Sequence, residues 1–600
     1  MKNFVLYFCI FFLSFIYLYL LSPPDIQFGD PAELSTGAYL LSFVHSTGYP
    51  LYLLLGKTFI TILSPLFSPF ISMTIFSIFT SSLTIVLLYI LLQKLGLNII
   101  PSFLTIISFL ISYEFTIQST IPEVYPLLLF FIFLSLLIYI GRNICFLVFI
   151  TGLGISHHLL YVIVFIPFWI IYFFQWVKRL RNKHIFLAII CFLISLTVYL
   201  YIPIRSAGDV TILDWPCVSN IKEFFDYISG SHFRSEKGYL QLIPMKVKII
   251  KIISDIIFQF FLLCLVIPSG IIFLIEKNKP FFYSSLFSIL FIILTAIFYK
   301  IPDFDVYLLP AYLLLSIYAG CGLHRLFNKL SKNISLIICV LVICFQFFFY
   351  KFSGTHLSRS HSYLAFDYLQ TINRNLPENS VILSSWHYAT ALWYNKYVLK
   401  NRDDINIIMR ANLFNDSWLN EIQKLSTYDN TYLVFPHSDI SKIYPLVQDN
   451  LLWKISKDTE LTTFSQIERC LFNDLNDTVS FYIDIPDKIK PRTVYHFDLY
   501  FYLKKAQETK FGLALVLFDK SENILFYNLF SPLYEHFCLN KLKTHTIYKE
   551  RIFFYIPRLT QTNAYYFKIS YIPFFDRLRD DKDIWYNYFY KGKKLDANFL

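Results

Sequence analysis

Up to about Phe352 the chain is a series of long apolar runs, rich in Phe, Ile and Leu, separated by short polar breaks. Runs of this length, with neither a two-residue nor a helical polar alternation, fit lipid better than a water-facing surface. A backbone in lipid must satisfy its own hydrogen bonds, so each run predicts a helix. The runs place eleven helices near 4–21, 72–92, 99–113, 124–140, 144–159, 161–177, 185–202, 254–275, 281–299, 306–323 and 334–351. The first 21 residues carry a lysine and an apolar stretch but no small-residue cleavage site, which predicts an uncleaved first helix.

Beyond Phe352 the pattern changes. Helical and strand-like pieces alternate over Tyr363–Ile372, Val381–Ser384, Ala389–Tyr397, Ile405–Ile408, Tyr432–Phe435 and Ile440–Gln448, as in a small α/β layer domain. From about 478 onward, aromatic and β-branched strands dominate: Val479–Ile483, Tyr495–Leu503, Gly512–Phe518, Ile524–Phe530, Ile552–Tyr555 and Tyr565–Ile572. A β-sandwich is the natural expectation there. The expected organisation is a polytopic α-helical membrane domain over 1–352, a small extracytoplasmic α/β domain over 353–460 and a β-rich, sandwich-like domain over 461–600.

Composition sharpens this. The chain is 56% apolar and 16% charged, against roughly a quarter charged in soluble proteins, and its mean hydropathy is +0.53. A soluble enzyme, a disordered protein and a disulfide scaffold are excluded. The net charge of +11 does not point to nucleic acid. The basic residues sit mostly in short loops between apolar runs, where they set topology. Alternate loops carry Lys2; Lys94; Arg142; Lys178, Arg179, Arg181 and Lys183; Lys277 and Lys279; and Arg325, Lys329 and Lys332, with Glu276 the one acid among them. The positive-inside rule puts these loops and the N-terminus in the cytoplasm, and eleven crossings leave the soluble half outside. Cys9, Cys145, Cys191, Cys264, Cys321, Cys339 and Cys344 lie in or beside apolar runs, leaving Cys217, Cys470 and Cys538 for a bridge; no CxxC suggests a metal. So few bridge candidates lean towards a bacterial inner membrane, although an endoplasmic reticulum lumen would place the outer side equally well.

The candidate chemistry collects on the outer side. The first outer loop holds Gly29-Asp30-Pro31-Ala32-Glu33-Leu34 and His45-Ser46-Thr47-Gly48-Tyr49-Pro50. Later outer loops bring Glu123-Val124-Tyr125, His157-His158, Arg205 after Tyr201-Ile202-Pro203-Ile204, then Asp214-Trp215, and finally Asp305 and Tyr307. An ionisable group costs about 2.5–3.5 kcal/mol at the bilayer centre, so loops that deliver such groups to one leaflet suggest a shared site for charged lipid head groups. Each residue also has an ordinary reading. Asp30 and Glu33 are spaced as general bases or metal ligands, and equally as a helix cap and its third residue. The histidines could hold phosphate or merely lie at the interface. Arg205 suits a phosphate clamp, or snorkels.

The first-loop motif, Gly-Asp-x-x-Glu-Leu followed by His-x-x-Gly-Tyr-Pro-Leu-Tyr, resembles the protein O-mannosyltransferase-like branch of the GT-C glycosyltransferase superfamily, a branch once catalogued as a family of unknown function. Glu123-Val124-Tyr125, Gly154 to His158, Tyr201 to Ser206, Asp214-Trp215 and Asp305-x-Tyr307-x-x-Pro310 follow in the family's order, over roughly residues 5–330. The resemblance implies a membrane enzyme taking a mannose-like sugar from a polyprenyl- or dolichyl-phosphate carrier, with inversion, to a hydroxyl of a protein or glycan acceptor on the non-cytoplasmic side. It implies Asp30 as base with Glu33 in support, and His45, His158 and Arg205 at donor phosphate or sugar. Tyr49, Glu123, His157, Asp214, Trp215, Asp305 and Tyr307 would line the substrate site. The partners implied are membrane lipid, donor and acceptor, without nucleic acid. A departing phosphate carries charge well, so neither cofactor nor metal is demanded. Ser46 and Thr47 stand where family members commonly have two prolines, and Pro31-Ala32 where Ser-Gly is usual. A transporter or flippase of lipid-linked or small polar solutes is the alternative, although no repeated halves are visible. A non-catalytic receptor or scaffold is a third reading.

Overall fold

The computed structural model describes residues 2–176, 182–208, 213, 215, 218–231, 245–299, 304–352 and 362–410. Beyond these it describes 422, 424–425, 430–434, 446–455 and little more than the strands named below. The chain divides into two compact units: Met1–Pro24 with Asp30–Ser360, and Asp25–Gly29 with His361–Leu600.

The first unit is helical. Its helices are α1 (Lys2–Leu21), α2 (Asp30–Leu40), α3 (Pro50–Leu63), α4 (Pro69–Lys94), α5 (Ile99–Leu110), α6 (Tyr113–Ser119), α7 (Tyr125–Gly141), α8 (Ile144–His157) and α9 (Leu160–Trp176). They continue with α10 (Asn182–Leu196), α11 (Tyr201–Ser206), α12 (Ile221–Ile228), α13 (Met245–Phe260), α14 (Ile267–Lys277), α15 (Lys279–Phe298), α16 (Leu309–Phe327) and α17 (Lys332–Phe352). Local sequence sets several boundaries. Ser68 caps α4 by accepting from the Ile71 amide, with Pro69 just inside, and Asn143 and Asn278 do the same for α8 and α15. Within α4 the hydroxyls of Thr74, Thr80, Ser82 and Thr84 bond back to carbonyls one turn earlier, which lets a polar stripe lie buried at no cost in unsatisfied groups.

All eleven expected runs fall on helical segments, but they differ in length. Among the described residues six helical stretches are long and apolar enough to cross a membrane: Asn3–Leu21, Pro69–Lys94, Asn182–Ser206, Met245–Lys277, Lys279–Phe298 and Val306–Phe327. A seventh is α5 with α6 if that pair, bent by 62°, forms one span. The remaining runs correspond to the shorter apolar helices α7, α8, α9 and α17. By length and composition, the described residues thus hold six or seven helices able to cross a membrane, beside the four shorter apolar helices that account for the rest of the eleven expected runs. The connection between the first two expected runs, read from sequence as a loop, contains α2 and α3.

The second unit carries the helices α18 (Leu364–Asn375) and α19 (Trp386–Trp393) and three sheets. In the first, β1 (Val381–Ser385) lies between β2 (Asn406–Arg410) and β3 (Thr431–Leu433), parallel to both. The antiparallel strands β4 (Leu446–Asp449) and β5 (Leu452–Ile455) extend it to the order β2-β1-β3-β5-β4. The Ile440–Gln448 piece thus ends as a strand.

The other two sheets are antiparallel. One contains β6 (Thr463–Phe464), β7 (Asn473–Asp474), β8 (Val479–Asp484), β9 (Thr493–Leu503) and β12 (Ile547–Ile556), in the order β6-β12-β9-β8-β7. The other contains β10 (Phe511–Phe518), β11 (Ile524–Phe530), β13 (Tyr566–Pro573) and β14 (Lys593–Leu595), in the order β11-β10-β13-β14. The strands expected from the aromatic alternation fall within them, save Tyr565, which lies outside the described residues.

Candidate functional site

Helix α2 opens on Asp30 and carries Glu33 one turn on, and the segment after it brings His45 back over both. The Glu33 side chain is fully buried and saturated with donors. Its Oε1 accepts from the His45 amide at 2.9 Å and from the Trp215 indole N–H at 2.6 Å, while Oε2 lies 2.8 Å from His45 Nδ1. Asp30 differs. Its side chain is 37% exposed, and its Oδ1 lies 3.4 Å from the same imidazole nitrogen. One carboxylate is therefore embedded and the other open, with a histidine between them. To the Asp30–Glu33 spacing the fold adds His45, bringing ligand atoms of all three within 4.8 Å of one another.

The ionic state of His45 follows from these neighbours. It lies in the connection between α2 and α3, outside the spanning helices. Burial alone would lower its pKa. The charges of Glu33 and Asp30, the hydrogen bond to Glu33 and a weaker field from Glu123 outweigh burial and push it up to about 9. At neutral pH it is an imidazolium. The folded-state value stands above the unfolded one, so the stability it contributes is fully present below about pH 6.5 and lost as pH rises through 9. The expected result is a thermal midpoint that falls between pH 7 and 9.5. In His45→Gln that fall should be absent, as a melting series across this range would show.

The connection that carries His45 is fixed from several sides. Tyr201 donates to the Ser42 carbonyl at 2.8 Å, and Tyr227 to that of Val44 at 2.5 Å. Arg205, expected to clamp phosphate, instead uses Nε and one terminal nitrogen on the carbonyls of Leu41 (2.7 Å) and Leu40 (3.2 Å). Those carbonyls end α2, where orphaned acceptors and the negative end of the helix dipole attract a guanidinium. Gly48, at φ +81°, faces Tyr227 so closely that an added Cβ would lie 2.6 Å from its ring. Gly48→Ala should therefore destabilise the fold by about 1–3 kcal/mol, through backbone strain plus displacement of Tyr227. Thermal denaturation measures it, and an unchanged midpoint would disprove it.

Aromatic rings continue the site away from the carboxylates. His45 Nε2 is 3.2 Å from the Tyr49 hydroxyl, and the Tyr49 ring stacks on His158 at 5.6 Å. His158 also faces Tyr125 at 5.7 Å and Tyr307 at 6.3 Å, and Tyr307 donates to the Tyr299 hydroxyl at 2.8 Å. The Nδ1 of His158 accepts from the Leu160 amide, which leaves Nε2 as the protonated position of the neutral ring. His157 is a brace, with Nε2 on the Val124 carbonyl at 2.8 Å. Glu123 is nearly buried and accepts from the Val124 amide, while its own amide donates to Ser77. Asp30, Glu33, His45, Tyr49, His158, Trp215 and Tyr307 thus form a linked set. Asp214 lies outside the described residues.

Asp305 has a different setting. It pairs with Lys251 of α13, and the Nζ atoms of Lys248 and Lys251 lie 5.0 and 5.1 Å from the centre of the Phe304 ring. Near it are buried Glu114, bonded to Gln118 at 3.0 Å, and Gln259, which accepts from the Glu114 amide at 3.1 Å. The sequence reading passed over Glu114, Lys248, Lys251 and Asp255. The signal was present: Glu114 falls at the end of an apolar run, where an ionisable side chain by default has work to do. The α13 lysines were read as loop residues because the apolar run proper begins only at 254.

Residues 30–181 match the family model described as the protein O-mannosyl-transferase TMEM260 N-terminal domain. This stretch is similar to that domain. It begins at Asp30 and contains Glu33, His45, Tyr49, Glu123, His157 and His158. No curated protein matches the chain. The matched stretch ends before Arg205, Trp215 and Tyr307, so the side chains that complete the site come from beyond it. The long apolar helices mark an integral membrane protein.

Proposed function

We propose that the protein is a GT-C-type glycosyltransferase that moves a mannose-like sugar from a polyprenyl-phosphate carrier to an acceptor hydroxyl on the non-cytoplasmic side of its membrane, with inversion. The observation that carries this reading is the unequal pair of carboxylates at the start of the O-mannosyltransferase-like domain: Glu33 sealed under Trp215 and His45, Asp30 partly open. A base must be reachable by the acceptor hydroxyl, and the 37% exposed Asp30 side chain meets that need better than the fully buried Glu33.

In the proposed step Asp30 takes the proton of the acceptor O–H. The acceptor oxygen forms a bond to the anomeric carbon from one face while the bond from that carbon to the phosphate oxygen breaks on the other. The carrier phosphate leaves with the electron pair, and no metal is required. Imidazolium His45 places a fixed positive charge beside this chemistry. Tyr49, Tyr125, His158 and Tyr307 offer ring faces and polar edges suited to a sugar, and Arg205 acts through the end of α2. The cytoplasmic N-terminus and outer soluble half rest on the distribution of loop lysines and arginines.

The direct test is release and transfer of labelled sugar from a panel of polyprenyl-phosphate sugars, in membranes holding wild type supplied with protein and glycan acceptors. Transfer from one donor supports the reading and names the sugar. No release from any donor by folded protein would sink it. Transport is then next, because the sharp bend between α5 and α6 beside buried Glu114 resembles the broken helices of transporters. Solute flux would test that second reading.

A further inference from the structure

Helix α12 is eight residues long and reads Ile-Lys-Glu-Phe-Phe-Asp-Tyr-Ile over 221–228. Its start is fixed locally. Asn220 caps it by accepting from the Glu223 amide at 2.9 Å, and the Glu223 carboxylate reaches back to the Ser219 amide at 2.8 Å. At about 100° per residue the side chains fall into three sectors. Tyr227 and Phe224 make the first, Ile228, Ile221 and Phe225 the second, and Lys222, Asp226 and Glu223 the third. Tyr227 is buried, whereas Ile221 is 70% and Phe225 58% exposed. The charged sector is exposed as well. Going round the helix, then, a packed face gives way to an open apolar face and that to an open charged one.

The packed face shows where the helix lies. The Phe224 ring meets the Tyr199 ring edge-on at 6.2 Å. Tyr199 sits in a 3₁₀ turn, Thr197–Leu200, within the membrane-crossing stretch Asn182–Ser206. It comes seven residues before Ser206, so about 10 Å from the end of that stretch. Nearby in the stretch, Leu200 and Ile204 are 54% and 66% exposed, as lipid-facing side chains of a span are. The 25 residues of the stretch reach about 37 Å, a few Å more than a bilayer's hydrocarbon core. Its last turns, and α12 beside them, therefore stand where acyl chains meet head groups. Amphipathic helices at that boundary bury their apolar face by about 5–10 Å. A patch of three side chains is too small for a stable protein partner, which takes roughly 20–30 residues a side.

We infer that α12 lies in the membrane interface, with Ile221, Phe225 and Ile228 seated among lipid acyl chains, and that Tyr227 holds the His45 connection at that level. Tyr227 donates to the Val44 carbonyl at 2.5 Å, and its ring meets that of Phe43 at 5.9 Å. Lipid on one sector and the connection on the next are thus joined by a single helix of about two turns. The inference rests on packing and exposure. Its consequence rests on the function proposed above: the carboxylates meet the phosphate of a lipid carrier at the depth where that phosphate sits.

The test uses the full-length protein in nanodiscs of phosphatidylcholine and phosphatidylglycerol. The photo-crosslinking residue p-benzoylphenylalanine replaces Phe225, and adducts are identified by mass after irradiation. Lipid adducts should form at least tenfold more than with the same residue in place of Asp226, and within threefold of its yield in place of Ile204. Replacing Ile221 gives a second reading should one variant fold poorly. Yields at 221 and 225 no greater than at 226 would overturn the interfacial placement, and so would crosslinks to a second copy of the chain in place of lipid. Amide hydrogen exchange over residues 42–49 reads the link to the site. Phe225→Glu should speed it at least fivefold, and so should Tyr227→Phe, which keeps the ring and removes the donor to Val44. Exchange at the wild-type rate in either variant would overturn the link, and equal acceleration in α5 would reduce it to general loss of stability. None of these readouts uses sugar transfer, so failure of the proposed function would leave them to decide the placement alone.

Discussion

Asp30→Asn should lower sugar transfer by a factor of about 10²–10⁴, the range over which a positioned general base typically contributes, and leave the protein folded. The substitution is nearly isosteric and removes only the ability to take a proton. Its structural cost should be small because the Asp30 side chain is over a third exposed and its approach to His45, at 3.4 Å, is longer than that of Glu33. Exposed ion pairs contribute about 0–1 kcal/mol, so the thermal midpoint should move little. Donor binding should survive, since the carboxylate acts on the acceptor hydroxyl. The loss should therefore appear in kcat rather than in the donor KM. Turnover at the wild-type rate in Asp30→Asn would remove the base assignment. A large fall in thermal midpoint would instead give Asp30 a structural task that its exposure does not suggest.

Much of this site is legible in sequence, for reasons that differ by residue. Asp30, Glu33 and His45 lie within one short polar stretch between apolar runs, where charge in so apolar a chain is conspicuous. Nothing in that stretch tells which carboxylate is sealed. That depends on Trp215, more than 180 positions away, whose indole N–H reaches Glu33. Arg205 is conspicuous in sequence as a cation after an apolar run, but its partners, the carbonyls of Leu41 and Leu40, are not. The orphaned carbonyls of Leu40 and Leu41 exist only because α2 ends there, and α2 itself lies in a connection that reads as a polar loop. The strands of the second half were readable from alternation because each sheet residue reports its own environment. The number of crossings was not, because an apolar run such as 144–159 looks the same whether its helix spans lipid or stops short within a bundle.

Glu33 should be the costlier residue to lose for the fold. Glu33→Ala leaves the His45 amide, the imidazolium and the Trp215 indole N–H without their shared acceptor in a buried place. Removing one partner from a buried charged pair costs about 3–5 kcal/mol, a large share of the roughly 5–15 kcal/mol that ordinarily holds a fold. Glu33→Gln separates charge from shape. Its carbonyl oxygen can still accept from the His45 amide and Trp215, but its NH₂ then faces the protonated Nδ1 of His45, donor against donor. The expected cost is smaller, about 1–3 kcal/mol, and His45 should lose much of what raises its pKa. The fall in thermal midpoint between pH 7 and 9.5 should flatten in Glu33→Gln, whereas in Trp215→Phe, which frees a lone pair on Glu33 without changing its charge, it should persist. Stability curves for the three variants across that range decide the matter. A wild-type pH slope in Glu33→Gln would mean that Asp30, and not Glu33, holds the proton on His45. Asp30 would then be tied up as an ion-pair partner, and its role as base would fall with it.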